Sequence, residues 1–163
     1  MNNLLTIFFG IFLSTTVYGQ VDSLKLRKLE IKTHKIDSIS TETKEIKKIT
    51  VDSVKVQIYD LGDKIKTINF FSNSQLIINY YFENNELISI KTEEKSPILT
   101  DLSSFTEFYF ENEKLIGENY YRTVRACLGI SAATDYELYG YNPLFTKEFL
   151  IEFNKKTLRK ILE

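Results

Sequence analysis

The chain writes one phrase twice, and that repetition limits its fold more than any other feature. "YYFENNELISIK" (80–91) and "FYFENEKLIGEN" (108–119) each run aromatic, aromatic, Phe, Glu, Asn, two polar or charged positions, then Leu-Ile. Phe82 and Leu87 are five apart, as are Phe110 and Leu115. A hairpin with a two-residue loop sets such residues opposite one another across two strands. The loops are then Asn84-Asn85 and Asn112-Glu113. A type I′ loop needs positive φ at both central residues, which Asn tolerates and Glu resists. The second loop is therefore expected to be longer or of another type.

The same spacing recurs in "FSNSQL" (Phe71, Leu76) and "FNKKTL" (Phe153, Leu158), and "YDLGDKI" is one residue longer. Val54, Val56 and Ile58 alternate with Lys55 and Gln57, and Phe149, Ile151 and Phe153 alternate with Glu148 and Glu152. Period two marks strands with one wet face. The reading is a mainly β, α+β chain: an antiparallel β-meander of repeated hairpins with an N-terminal helix. Strands are expected near 51–59, 65–71, 76–82, 87–92, 104–110, 115–122, 147–153 and 158–162.

The strand "LIINYYF" is apolar on one face and half apolar on the other, so part of the second face needs a cover. Leu29, Ile36 and Ile39 fall on helical spacing, and Ser23 can cap a helix start, which predicts a helix over 22–41. The rival is strand, because "LKLRKLEIK" partly alternates. "VDSLK", "IDSIS" and "VDSVK" also recur every 15 residues, at 21, 36 and 51.

The apolar run from Leu4 to Leu13 is too short to span a bilayer but fits the apolar stretch of a secretory leader. Val17 and Gly19 stand at the −3 and −1 places before Gln20, although "MNN" carries no Lys or Arg. The expected organisation is a signal peptide at 1–19, an N-terminal helical segment at 20–50 and the meander at 51–163. The product is periplasmic or secreted, with no stable membrane span after cleavage. A net charge of −1 gives no global pull toward nucleic acid. Cys127 is the only cysteine, so an internal disulfide is excluded and burial must hold the fold.

No reaction is legible. His34 is the only histidine, and nothing in the sequence brings it to Cys127 or to a serine, as a nucleophile–base pair requires. One Cys and one His cannot fill a zinc site alone, and no cofactor motif is present. Cys127, in "RACLGIS", reads as a buried structural residue. Glu83, Glu86, Glu111 and Glu113 flank turns, where they solvate the chain more readily than they form a catalytic pair. Asp60 and Asp63 fall short of a calcium loop's ligand count.

"YFENEKLIGENYY" resembles the MORN-type repeat and its variants in bacterial exported and antitoxin-like proteins. Tyr109, Lys114, Leu115 and Gly117 match best, with Tyr81 and Leu87 in the other copy. The turn glycine is missing, with Asn85 and Glu113 near its place. The resemblance covers about a third of the mature chain, and it implies β-hairpins and a non-enzymatic interaction protein.

The candidate binding residues are Tyr136, Tyr139, Tyr141 and Phe145, crowded into one turn-rich segment with Gly140 and Pro143. Tyrosine supplies large contact area at low entropy cost; the alternative is that these rings fold back over the sheet as core or edge cover. The expected function is an exported, non-enzymatic binding protein whose unknown partner is another protein. The alternative is a small-ligand or lipid carrier with an apolar cavity between sheet and helix.

Overall fold

The computed structural model describes residues 23–39, 44–72, 74–99, 103–121 and 139–163. Helix α1 (Ser23–Ile39) is followed by strands β1 (Lys44–Val51), β2 (Val54–Asp60), β3 (Lys64–Phe70), β4 (Gln75–Glu83), β5 (Glu86–Lys95), β6 (Ser103–Glu111) and β7 (Lys114–Tyr121), then by helix α2 (Lys147–Leu162). The strands form one antiparallel sheet in sequence order.

The duplicated phrase builds the same device twice. Phe82 pairs with Leu87, and Phe110 with Leu115. Both loops have positive φ at their two central residues: 52° and 66° at Asn84 and Asn85, 48° and 63° at Asn112 and Glu113. Glu113 thus accepts a conformation that it resists in isolation, because the paired strands on either side dictate it. In each hairpin the register shifts one residue further on, between Tyr81 and Phe82 and between Tyr109 and Phe110. The extra residues are Ile88 and Ile116, so each Leu-Ile encodes a bulge as well as a pair.

The other matches differ. Leu76 pairs with Asn69, while Phe71 lies in the β3–β4 connection. Asp60, not Tyr59, pairs with Ile65. The expected strands 147–153 and 158–162 are instead the single helix α2. Thr146 caps it by accepting from Phe149 N at 3.2 Å, Glu148 sits in its first turn, and Arg159 and Lys160 occupy its last. Those charges complement the helix dipole. Leu150, Phe153, Asn154, Thr157 and Leu158 form its buried stripe, so the alternation at 149–153 was a fragment of a helical pattern.

The segment assigned to 20–50 is also divided. Its first part is α1, but Lys44–Val51 is the first strand, joined to β2 by a two-residue loop at Asp52 and Ser53, with φ of 46° and 69°. That loop splits the expected strand 51–59.

Tyr80 and Tyr81 are adjacent on β4 and so point to opposite faces. Tyr80 donates to Asn154 of α2 at 3.3 Å, and Tyr81 donates to Asp37 of α1 at 3.0 Å, so a helix covers each face. The α2 side holds the main core: Val54, Val56, Ile58, Leu76, Ile78, Tyr80, Ile90, Phe108 and Phe110 against Phe145, Leu150, Phe153 and Leu158. Phe71 lies edge-on to Phe145 at 4.7 Å, and Phe149 stacks between Phe145 and Phe153.

Helix α2 reaches from one edge strand to the other. Lys147 pairs with Glu118 on β7, while Lys156 pairs with Asp52 and Lys160 donates to Thr50 O on β1. Six strand spacings of about 4.8 Å place the edges about 29 Å apart. A 16-residue helix is about 24 Å long, so its terminal lysines close the difference. Among the described residues, no helix is long and apolar enough to cross a membrane.

Candidate functional site

At the end of the sheet where β5 leaves and β6 enters, two loops lock together. One continues β5 through Ser96, Pro97, Ile98 and Leu99. The other runs from Tyr139 to Phe145 into α2. Ser96 Oγ donates to Tyr139 O at 2.6 Å and accepts from the amides of Ile98 and Leu99 at 3.2 and 2.9 Å. The Glu94 carboxylate, only 3% exposed, accepts from Asn142 N at 2.7 Å. Asn142 Oδ1 in turn accepts from Leu144 N at 3.0 Å, and Phe145 N donates to Asn142 O at 3.1 Å.

Gly140 makes the contact between the loops possible. Its φ is +70°, and a Cβ there would lie 2.8 Å from Pro97 Cγ and 3.1 Å from Ile98 Cδ1. Only a residue without a side chain both adopts that backbone and admits the neighbour.

The aromatic residues singled out from sequence are the floor of this site. Tyr139, Tyr141 and Phe145 are buried, and the rings of Tyr139 and Tyr141 lie 6.4 Å apart. Tyr136 lies outside the described residues. The surface of the loop pair belongs to aliphatic side chains: Ile98 is 59% exposed, Leu99 45% and Leu144 70%. The sequence reading passed over these three because single aliphatics in loops carry no spacing signal. "SPIL" beside a proline, and "NPLF", were their only marks. Chemically, the arrangement is an apolar patch on a hydrogen-bonded frame, with the Glu94 carboxylate at its base engaged by a backbone amide.

A second polar cluster joins α1 to the opposite face. Tyr109 donates to Glu107 Oε2 at 2.6 Å, Asn119 Nδ2 donates to the same oxygen, and Lys91 pairs with Oε1 at 3.3 Å. Burial pushes the Glu107 carboxyl up, but the Tyr109 hydroxyl, Lys91 and Asn119 outweigh it and hold the group below its usual range. Burial, reinforced by the neighbouring carboxylates, pushes the Tyr81 and Tyr109 phenols far up. Lys64 and Lys91 both approach the Tyr81 ring face.

The cluster is ordered by a repeat in α1 that the sequence reading missed. "LKLRKLE" (24–30) and "IKTHKID" (31–37) are two heptads of matching chemistry. Lys25 pairs with Glu111, and Lys32, seven residues on, pairs with Glu83. Glu30 faces Tyr109, and Asp37, again seven on, accepts from Tyr81. Each heptad serves one copy of the hairpin phrase. The turn glutamates considered as a catalytic pair are thus held by lysines of α1 at two of their four positions.

His34 lies exposed on α1, and Cys127 is outside the described residues. Asp60 Oδ1 accepts from Gly62 N at 2.9 Å, a turn-forming role. Among the described residues, no group of three or more His, Cys, Asp and Glu side chains could hold a metal ion. Comparison with known proteins adds no relative: no family model matches, and no curated protein and no solved structure is significantly similar.

Proposed function

We propose that this chain is an exported, non-enzymatic binding protein that captures a protein partner on the Ile98–Leu99–Leu144 patch. The observation that carries the reading is the contrast within the loop pair. Its backbone is pinned by buried hydrogen bonds, while three large aliphatic side chains stand in solvent. Ordering a loop costs conformational entropy, and a frame fixed in advance removes most of that cost from binding. Exposed apolar groups collected on loops over a rigid sheet are the usual form of a recognition surface. The carrier alternative gains no support from the space beside α2. A cleft of about 210 Å³ there is lined mainly by Asp52, Lys156, Arg159, Lys160 and Glu163, which suit no lipid chain.

The test is a photo-crosslinking residue placed at Leu144 in the producing cell. Discrete heavier adducts are expected there, and none from the same residue at Glu152 on the exposed side of α2. Replacing Ile98 and Leu144 together with Ser should abolish the adducts of a probe at Leu99 while leaving the melting temperature within about 2 °C, as exposed positions allow. Equal labelling at Leu144 and Glu152 overturns the reading.

A further inference from the structure

Helix α1 is sorted by charge between its two sides. With the fully buried Thr33 taken as the inward direction, the 100° turn per residue puts Glu30 and Asp37 toward the sheet, together with Leu26, Leu29 and Ile36. Both carboxylates are engaged there by Tyr109, Tyr81 and Lys64. The opposite side carries Leu24, Arg27, Lys28, Ile31 and Lys35, and no acid. Leu24 is 59% exposed and Ile31 61%, and they follow one another on a single line down the helix. Among the described residues, Arg27, Lys28 and Lys35 have no carboxylate within ion-pair reach, whereas Lys25 and Lys32 are taken up by Glu111 and Glu83.

We propose that the outer side of α1 is a docking surface for an anionic lipid bilayer, on which the helix lies parallel to the membrane plane. Leu24 and Ile31 enter the headgroup boundary, and Arg27, Lys28 and Lys35 meet the lipid charge beside them. A line of aliphatic side chains flanked by lysine and arginine is the pattern of a helix that rests in a membrane interface. Charge complementarity selects this occupant. The stripe is cationic on a chain whose net charge is −1, so the attraction is local to α1. Two large aliphatics at the centre of the stripe suit a bilayer and have no use against a phosphate backbone in water. Both acids lie on the sheet-facing side and are engaged there, so the stripe presents no carboxylate to repel the lipid charge. The surface is separate from the Ile98–Leu99–Leu144 patch and does not depend on its reading.

The test uses the full chain and sedimentation with vesicles of phosphatidylcholine alone or mixed with phosphatidylglycerol. Binding to the mixed vesicles should exceed binding to neutral ones and fall as salt is raised. Arg27→Glu with Lys28→Glu and Lys35→Glu should lower the anion-dependent part about tenfold or more, and Leu24→Ser with Ile31→Ser should lower it comparably. All variants keep the apolar run from Leu4 to Leu13, so its contribution cancels. An independent reading comes from an environment-sensitive dye at Ile31→Cys in a Cys127→Ser chain. Its emission should shift to the blue on mixed vesicles, and the same dye at Glu152→Cys should not respond. Binding that is indifferent to the charge reversal overturns the proposal. So does a dimer that Leu24→Ser with Ile31→Ser dissociates, which would make the stripe a contact between two copies of the chain.

Discussion

At the scale of single residues, the chain spends its positive-φ positions on two different tasks. Asn84, Asn85, Asn112 and Glu113 use them to close hairpins, while Gly140 uses its own to let two loops touch. Gly62 makes a useful contrast, with φ of +81° but open space where a Cβ would stand. Gly62→Ala should cost about 1 kcal/mol, the backbone penalty alone. Gly140→Ala adds overlap with Pro97 and Ile98 and should cost about 2–4 kcal/mol. Urea titrations of the two variants measure the difference, and equal losses would mean the loop contact contributes nothing. Residue identity by itself decides less than these cases imply. "VDSVK" turns a corner at Asp52 and Ser53, whereas Ser23 of "VDSLK" opens a helix and "IDSI" closes the same one. A short polar phrase follows whatever its neighbours bury.

At the scale of elements, the two helices hold on by different means. Helix α2 buries Leu150, Phe153 and Leu158 in the core, whereas α1 fully buries only Thr33 and depends on carboxylates and phenols. Tyr81→Phe combined with Tyr109→Phe should therefore loosen α1 alone. Hydrogen exchange in α1 should quicken about tenfold or more, while β4 and β6 stay protected. Matching acceleration in α1 and in those strands would show that the helix and sheet open together. This contrast also explains what could be read beforehand. The hairpins at 80–91 and 108–119 were legible because strand pairing repeats with the spacing of the residues themselves. Helix α2 was not, since Phe149, Ile151 and Phe153 mimic a strand over five positions and only Thr146 and the wider 150–158 stripe reveal the helix. The aromatic loop is legible as a segment, while the division within it, Tyr139 and Tyr141 buried and Leu144 exposed, is not. Burial of Tyr139 and Tyr141 depends on the loop at 96–99, which is distant in sequence.

At the scale of the whole molecule, stability should be flat across neutral pH and fall at both ends. The Glu107 carboxyl is held below its usual range, so its contribution is complete above that range and is lost as pH falls through the folded value. Tyr80, Tyr81 and Tyr109 are pushed up by burial, so their contribution is complete below the ordinary phenol range and is lost as pH rises beyond it. The urea midpoint should thus hold between about pH 5 and 9, then drop on either side. Glu107→Gln should lower the plateau and flatten the acid limb; an unchanged acid limb assigns that loss to other carboxylates. The pairing of heptads with hairpins has a further consequence, for how such a chain can lengthen. A heptad advances α1 by about 10.5 Å, and a hairpin widens the sheet by two strands, about 9.6 Å. Helix and sheet therefore act as two rulers with nearly equal divisions. Adding one heptad and one hairpin together would keep every lysine over its glutamate and every acid over its tyrosine, whereas adding either alone would strand a set of charges. The divisions differ by about 1 Å, so the error grows with each unit, and this architecture favours few copies over many.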